Sequence, residues 1–231
     1  MKYLIFFTFS SWILTSFAQA SFEQSVGFYA NGSLKNPKVL SLEGEGFIKL
    51  FRERERFWGN DRLIDLISES AATFKLTYPD SERLQVGDLS QKIGGKISGH
   101  NSHQNGLDVD LVYFRVNHQE QELNQTNGFV EKFVVNGKVT PNFDLDRNWA
   151  LVKIIAGKSN VQRIFMDPVI KKAFCDYAKV ENEYEQNIEI LRKFRPLAAH
   201  DDHIHVRLLC PEGSKLCTPQ EAPPVGSGCE N

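Results

Sequence analysis

Five of the six histidines fall in two short segments, Gly99-His-Asn-Ser-His-Gln-Asn-Gly-Leu-Asp-Val-Asp110 and His200-Asp-Asp-His-Ile-His205, and each segment also carries a pair of aspartates. Imidazole nitrogen with carboxylate oxygen is the ligand set of a borderline-soft divalent cation, zinc above all. The two segments lie far apart in the chain, so the fold has to bring one onto the other. That is how an active site is assembled, whereas a local metal loop draws its ligands from one stretch.

Both segments run into alternating stretches. In the last predicted strand, His203 to Leu209, a repeat of two places His203, His205 and Arg207 on one face and Ile204, Val206 and Leu208 on the other. Two imidazoles and a guanidinium make a poor core face and a suitable floor for a polar cleft. In Asp108 to Phe114, the same repeat puts Asp108, Asp110, Val112 and Phe114 together, opposite Val109, Leu111 and Tyr113. Gly106 supplies a turn that lays His103 over the start of this strand. Side by side, Asp108 and Asp110 repel unless a cation neutralises them.

Three ligands follow: His103, Asp110 and His205. They leave a fourth tetrahedral position open, as a catalytic zinc does, and the metal would activate water for attack on an amide carbonyl. His203, on the strand face of a ligand, is expected to move the proton, and His200 to neutralise the developing oxyanion. Asp108 is expected to orient a ligand imidazole from behind, and Arg207 to bind substrate. Strand alternation turns Asp202, the residue before His203, away from the site. His100 reads first as a hydrogen-bonded loop histidine and second as a direct metal ligand. His118 reads as exposed.

The rest of the chain frames this site. Lys2, the apolar run Leu4 to Phe17 and the small-x-small Ala18-Gln19-Ala20 read as a signal peptide over residues 1–20, cleaved on export. Residues 21–231 then form one domain, with no second apolar span to hold it in a membrane. The formal net charge is -2 and the basic residues are scattered, which excludes a nucleic-acid binder. Cys175, Cys210, Cys217 and Cys229 read as two disulfides in an exported chain. Three pairings are open, and the short spacing of Cys210 and Cys217 favours a local loop, with Cys175 tying down the tail at Cys229.

Phe47 to Trp58 is helix-like, with Arg52-Glu-Arg-Glu-Arg56 facing outward. A second helix is capped by Asp61 and ends near Tyr78. Residues 116–146 form a polar insertion or lid with a hairpin at Asn136-Gly137. Trp149 to Ala156, Pro168 to Tyr177 (opened by Asp167, with Pro168 as its first residue) and Glu181 to Phe194 read as helices, and Leu84 to Leu89 and Val161 to Met166 as strands. Strands and helices do not alternate as βαβ units do, so the expected fold is α+β, a central antiparallel sheet flanked by helices.

His-x6-Asp followed by His-x-His resembles the zinc peptidase superfamily of lysostaphin, D-Ala-D-Ala peptidases and the hedgehog domain. More closely, the string Gly99 to Asp110, His200-x-x-His203-x-His205-Val-Arg and Arg163-Ile-Phe-Met-Asp-Pro-Val-Ile-Lys171 resemble the penicillin-insensitive murein endopeptidase family. The resemblance runs from about Ser25 to Cys229. It implies a periplasmic zinc peptidase that cuts D-alanyl to meso-diaminopimelate cross-links of peptidoglycan. It matches His103, Asp110 and His205 to the zinc ligands and His203 and His200 to the active-site histidines, with His100 near the site. In other branches of the superfamily an acidic residue three before the last ligand is the base; Asp202 holds that place, but strand alternation keeps His203 ahead of it. It also suggests the Cys210–Cys217 and Cys175–Cys229 pairing. Some relatives carry an Asp-Gly-Lys-His string linked to a second metal shared between subunits. The comparable Asn136-Gly-Lys-Val139 lacks both ligand types, which argues for one zinc per active site, with a homodimer left open. A D,D-carboxypeptidase and a non-catalytic zinc-containing wall-binding protein are the alternatives.

Overall fold

The computed structural model describes residues 24–124 and 128–230, so the expected signal peptide lies outside the described residues. The two alternating stretches of the sequence become strands at the middle of a seven-stranded sheet. In chain order its strands are β1 (Glu43–Gly44), β2 (Phe47–Lys49), β3 (Leu84–Val86), β4 (Asp108–Val112), β5 (Val161–Met166), β6 (Phe194–Pro196) and β7 (His203–Leu208). They lie in the order β6-β5-β7-β4-β3-β2-β1.

The helices are α1 (Asp61–Thr77), α2 (Leu145–Ala156), α3 (Pro168–Val180) and a short α4 (Ile188–Lys193). Val109 and Leu111 of β4, Ile164 of β5 and Ile204, Val206 and Leu208 of β7 share one buried core with Leu63, Phe74, Trp149, Ile155 and Phe174 from α1 to α3. This apolar contact fixes which face of the sheet is left for polar side chains.

The class is α+β, and the sheet is mixed. The run β5-β7-β4-β3 is antiparallel throughout, while β2–β3 and β5–β6 are parallel. Each parallel pair spans a helical crossover, α1 in one case and α3 with α4 in the other, which returns the chain to the end it left.

One expected helix is absent and another is cut short. Phe47 to Trp58 instead holds β2, a single 3-10 turn at Arg52–Arg54 flanked by Phe51 and Glu55 in the left-handed region (φ 52 for both), and a two-residue strand at Trp58–Gly59. Phe47, Ile48, Leu50 and Phe51 are all buried, so burial is continuous and their helix-like spacing carries no helix. Glu181 to Phe194 is broken at Asn182 (φ 58), and only a 3-10 turn and α4 remain before Phe194 joins the sheet. The cap of α1 is Asn60, whose side chain accepts from the Arg62 amide, rather than Asp61. Asp167 caps α3 ahead of Pro168, as the sequence suggests.

The polar insertion is pinned to the body rather than free. Phe133 and Phe143 enter the main core, Arg115 pairs with Glu131 at 2.7 Å, and the hairpin Val134–Val135 and Lys138–Val139 turns at Asn136-Gly137. The disulfides are Cys175–Cys229, which joins α3 to the tail, and Cys210–Cys217, a short loop beyond β7.

Gly106 makes the turn that places His103. Its φ is +76, and a Cβ there would lie 2.9 Å from the Asn60 amide nitrogen and 2.7 Å from Leu34. Gly106→Ala is therefore expected to destabilise the fold by about 1–3 kcal/mol from the backbone conformation, with the contact adding to that. Urea unfolding measures it, and an unchanged midpoint would show that the turn relaxes freely.

Candidate metal centre

The register between β4 and β7 sets the site. Asp108 lies opposite Arg207, Asp110 opposite His205 and Val112 opposite His203. On the next strand Phe165 pairs with His205, their rings 5.0 Å apart. The polar face of these strands lines a cleft of about 510 Å³, together with the apolar Phe165, Leu197 and Ala198 and the polar Asn101 and Ser102. His103 enters from the loop before β4 with φ 64, fully buried, its amide donating to Asp108 Oδ2 at 3.1 Å.

Four imidazoles converge on Asp110. Its Oδ1 lies 3.3 Å from His103 Nε2, 3.6 Å from His203 Nε2 and 3.8 Å from His205 Nδ1, and its Oδ2 lies 3.7 Å from His100 Nδ1. Both Asp110 oxygens and both His103 ring nitrogens are buried without a hydrogen-bond partner. Buried polar atoms are satisfied as a rule, so four orphans at one point call for a partner that the side chains do not supply. Donor atoms of His100, His103 and Asp110 lie within 4.8 Å of one another. A tetrahedral zinc with bonds of about 2.0–2.1 Å sets its ligand atoms about 3.3 Å apart, so this nitrogen and oxygen set fits the ion.

Two buried carboxylates sharpen the case. Asp108 Oδ1 accepts from His205 Nε2 at 2.9 Å, and Asp88 Oδ2 accepts from His100 Nε2 at 3.1 Å. Carboxylates only accept, so each ring donates from Nε2 and turns Nδ1 toward Asp110. Burial lowers His205 to about 4 despite Asp108, so near neutrality its Nδ1 carries a lone pair aimed at a carboxylate. A cation between them relieves that repulsion. Burial alone would raise Asp110, yet His103, His203 and His205 hold its carboxyl well below the usual range. Burial likewise opposes a charge on His103, but Asp110, Asp108 and Asp88 raise it.

Asp88 lies outside both His/Asp segments, and no pattern in the sequence selects it. It also accepts from Arg54 at 3.0 Å and Arg56 at 2.9 Å. Burial pushes it up, but its bond to His100 and the charges of Lys49 and Arg54 bring it to about 2. Two arginines of the charge run expected to face solvent thus turn inward onto Asp88. Nothing in a lone aspartate between Gly87 and Leu89 marks it from sequence. Arg207 lines the cleft, but its Nε and Nη2 go to Asp108 at 2.7 and 3.4 Å and its Nη1 to Gln220 Oε1 at 2.8 Å, so it faces Asp108 and the tail.

His200 and His203 also line the cleft, rings 4.9 Å apart. His200 Nδ1 donates to the Ala198 carbonyl at 3.0 Å, and burial lowers its pKa. Asp202 precedes β7, so strand alternation does not govern it, and its Oδ1 lies 2.5 Å from His203 Nδ1. Phe129, from the insertion, stacks on the His203 ring at 4.5 Å. His118 does not join the group and pairs with Glu82 at 3.3 Å.

A family model described as penicillin-insensitive murein endopeptidase matches residues 25–231. Curated proteins called penicillin-insensitive murein endopeptidase are similar along most of the chain. The one from Pectobacterium atrosepticum is 35% identical over 209 residues, covering 89% of this chain and 72% of that protein. Those from Yersinia pestis and Klebsiella pneumoniae are 34% and 32% identical, each across 89% of this chain and 73% of the relative.

Asp108 is buried and serves His205, Arg207 and the His103 amide together. Asp108→Ala would leave the buried Arg207 without a counter-charge and is expected to cost about 3–5 kcal/mol of stability, read from denaturant unfolding. A loss below about 1 kcal/mol would mean that Arg207 finds another partner.

Proposed function

We propose, since this chain belongs to the penicillin-insensitive murein endopeptidase family, that it is an exported zinc-dependent D,D-endopeptidase cutting D-alanyl to meso-diaminopimelate cross-links of peptidoglycan. The observation that carries the metal part is the set of orphaned, buried donors of His103 and Asp110 beside the Nδ1 of His205. Those three residues would hold one zinc, with His100 adjacent. Bound there, zinc supplies a Lewis acid and a source of nucleophilic water near neutral pH.

The protein's own groups do the rest. Asp108 and Arg207 keep the His205 ring turned so that Nδ1 faces Asp110. His203 Nε2, at the cleft edge, is the base that takes a proton from the attacking water and returns it to the leaving amine. His200, its ring 4.9 Å from that of His203, would neutralise the charge building on the scissile carbonyl oxygen in its imidazolium form, with Nε2 as the donor, since Nδ1 is engaged by the Ala198 carbonyl. The apolar wall of Phe165, Leu197 and Ala198 suits the methyl side chains of alanine residues in a stem peptide.

Export rests on the leader read over residues 1–20 and on two disulfides, which suit an oxidising compartment such as the periplasm. Among the described residues, no helix is long and apolar enough to cross a membrane. One metal per site is proposed, because the hairpin Asn136-Gly-Lys-Val139 offers no ligand for a second.

Zinc-loaded protein incubated with purified murein should convert cross-linked dimers to monomers, in the presence of penicillin as well as in its absence, since no acylable serine takes part. A chelator should stop the reaction. Dimers that persist would overturn the reading, and release of terminal D-alanine alone would point to a carboxypeptidase. His205→Ala is expected to lower zinc content and activity together. His203→Ala should keep the zinc and lose turnover by about 10²–10⁴-fold. Equal zinc loss in the two variants, measured by metal analysis, would show that the roles are misassigned.

A further inference from the structure

We propose that Asp202 is a positioning residue, holding the His203 imidazole in the tautomer and orientation that turn Nε2 into the site. The proposal rests on the reading of His203 as the proton-moving group and extends it to a side chain that holding the metal does not require. His203 Nδ1 lies 2.5 Å from Asp202 Oδ1. An ionised carboxylate accepts and does not donate, so the ring proton belongs on Nδ1. The other nitrogen, Nε2, is then left with its lone pair on the site side, 3.6 Å from Asp110 Oδ1.

An imidazole has a broad, roughly two-fold terminal torsion, and a half-turn would exchange Nδ1 with Cδ2 and Nε2 with Cε1, taking both nitrogens out of these positions. His203 sits at the first residue of β7, opposite Val112, so the residue directly across gives Nδ1 no polar partner to prevent that exchange. Asp202 does prevent it. Asp202 reaches back because the chain enters β7 through a bend, with Ala199 at φ 61. Adjacent residues of a straight strand would point to opposite faces.

The insertion holds both partners. Phe129 covers the His203 ring face, with the planes inclined by 30°. Lys132 Nζ lies 3.7 Å from Asp202 Oδ2 and 2.6 Å from Asp201 Oδ1, and the Phe133 amide donates to the Asp201 carbonyl at 2.6 Å. Carboxylate, imidazole and reacting centre thus stand in line, in the order that lets a carboxylate fix which nitrogen is the base.

The test uses the zinc-loaded protein and a soluble cross-linked muropeptide dimer. Asp202→Ala is expected to lower kcat about 10–100-fold, the usual cost of losing such an outer partner, with KM and zinc content unchanged. Asp202→Asn, whose side-chain carbonyl can still accept from Nδ1, should recover part of that loss. Asp201→Ala removes the closer Lys132 ion pair without touching His203 and should stay near the parent rate. Nitrogen-15 NMR of the imidazoles reads the proposal directly: His203 should carry its proton on Nδ1 in the parent and shift toward the Nε2–H form in Asp202→Ala. An unchanged tautomer, an unchanged kcat, or an equal loss in Asp201→Ala would overturn it. If the parent protein cuts no muropeptide, the endopeptidase reading fails, while the NMR result still decides the role of Asp202.

Discussion

A slip of one residue between Asp108–Val112 and His203–Leu208 would send His203, His205 and Arg207 into the helical core and bring Ile204 and Val206 out to the cleft. The site therefore depends on this one register. It is enforced from the opposite face, where Val109, Leu111, Ile204, Val206 and Leu208 bury against α1 to α3. The apolar pattern does the energetic work and the polar pattern inherits its geometry. Asp110 meets His205, and Asp108 meets Arg207, because hydrophobic burial leaves them no other alignment.

Three buried aspartates beneath one cleft would be untenable if left alone. Two have cationic partners within the protein: Arg207 for Asp108, and Arg54 and Arg56 for Asp88. Each of these also backs one imidazole, His205 or His100. The third, Asp110, has imidazoles around it but no hydrogen bond. Structural charge compensation is thus complete around the centre and withheld at the centre. That is the pattern expected where a cation belongs, and it explains why four ring nitrogens can face one carboxylate.

The two His/Asp segments, the parity of β4 and β7, the turn at Gly106, the capped start of α3, the hairpin at Asn136-Gly137 and the two disulfides were legible in the residues. Each rests on a local rule: a repeat of two, a left-handed turn, a cap followed by proline, or cysteine spacing. The stretch from Phe47 to Trp58 misled because its apolar spacing satisfies a helix, while long-range pairing of β2 with β3 buries the residues on all sides. The same error hid Arg54 and Arg56, which read as a solvated face, and with them Asp88. Asp202 was placed by an alternation that begins only at the next residue. Each of these misreadings concerns a residue whose position is set by a partner distant in sequence, or by a bend that no short pattern announces.

Chemistry and face were decided by the sequence: which residues could bind a metal, and which side of each strand they would share, because side-chain type and the two-residue repeat are local properties. Convergence was decided by the tertiary structure: which imidazole nitrogen faces Asp110, which carboxylate backs which ring, that Arg207 turns to Asp108 and Gln220, and that the insertion lays Phe129 on His203. Distances of a few ångströms between residues far apart in the chain follow from core packing and strand pairing, which act on the molecule as a whole.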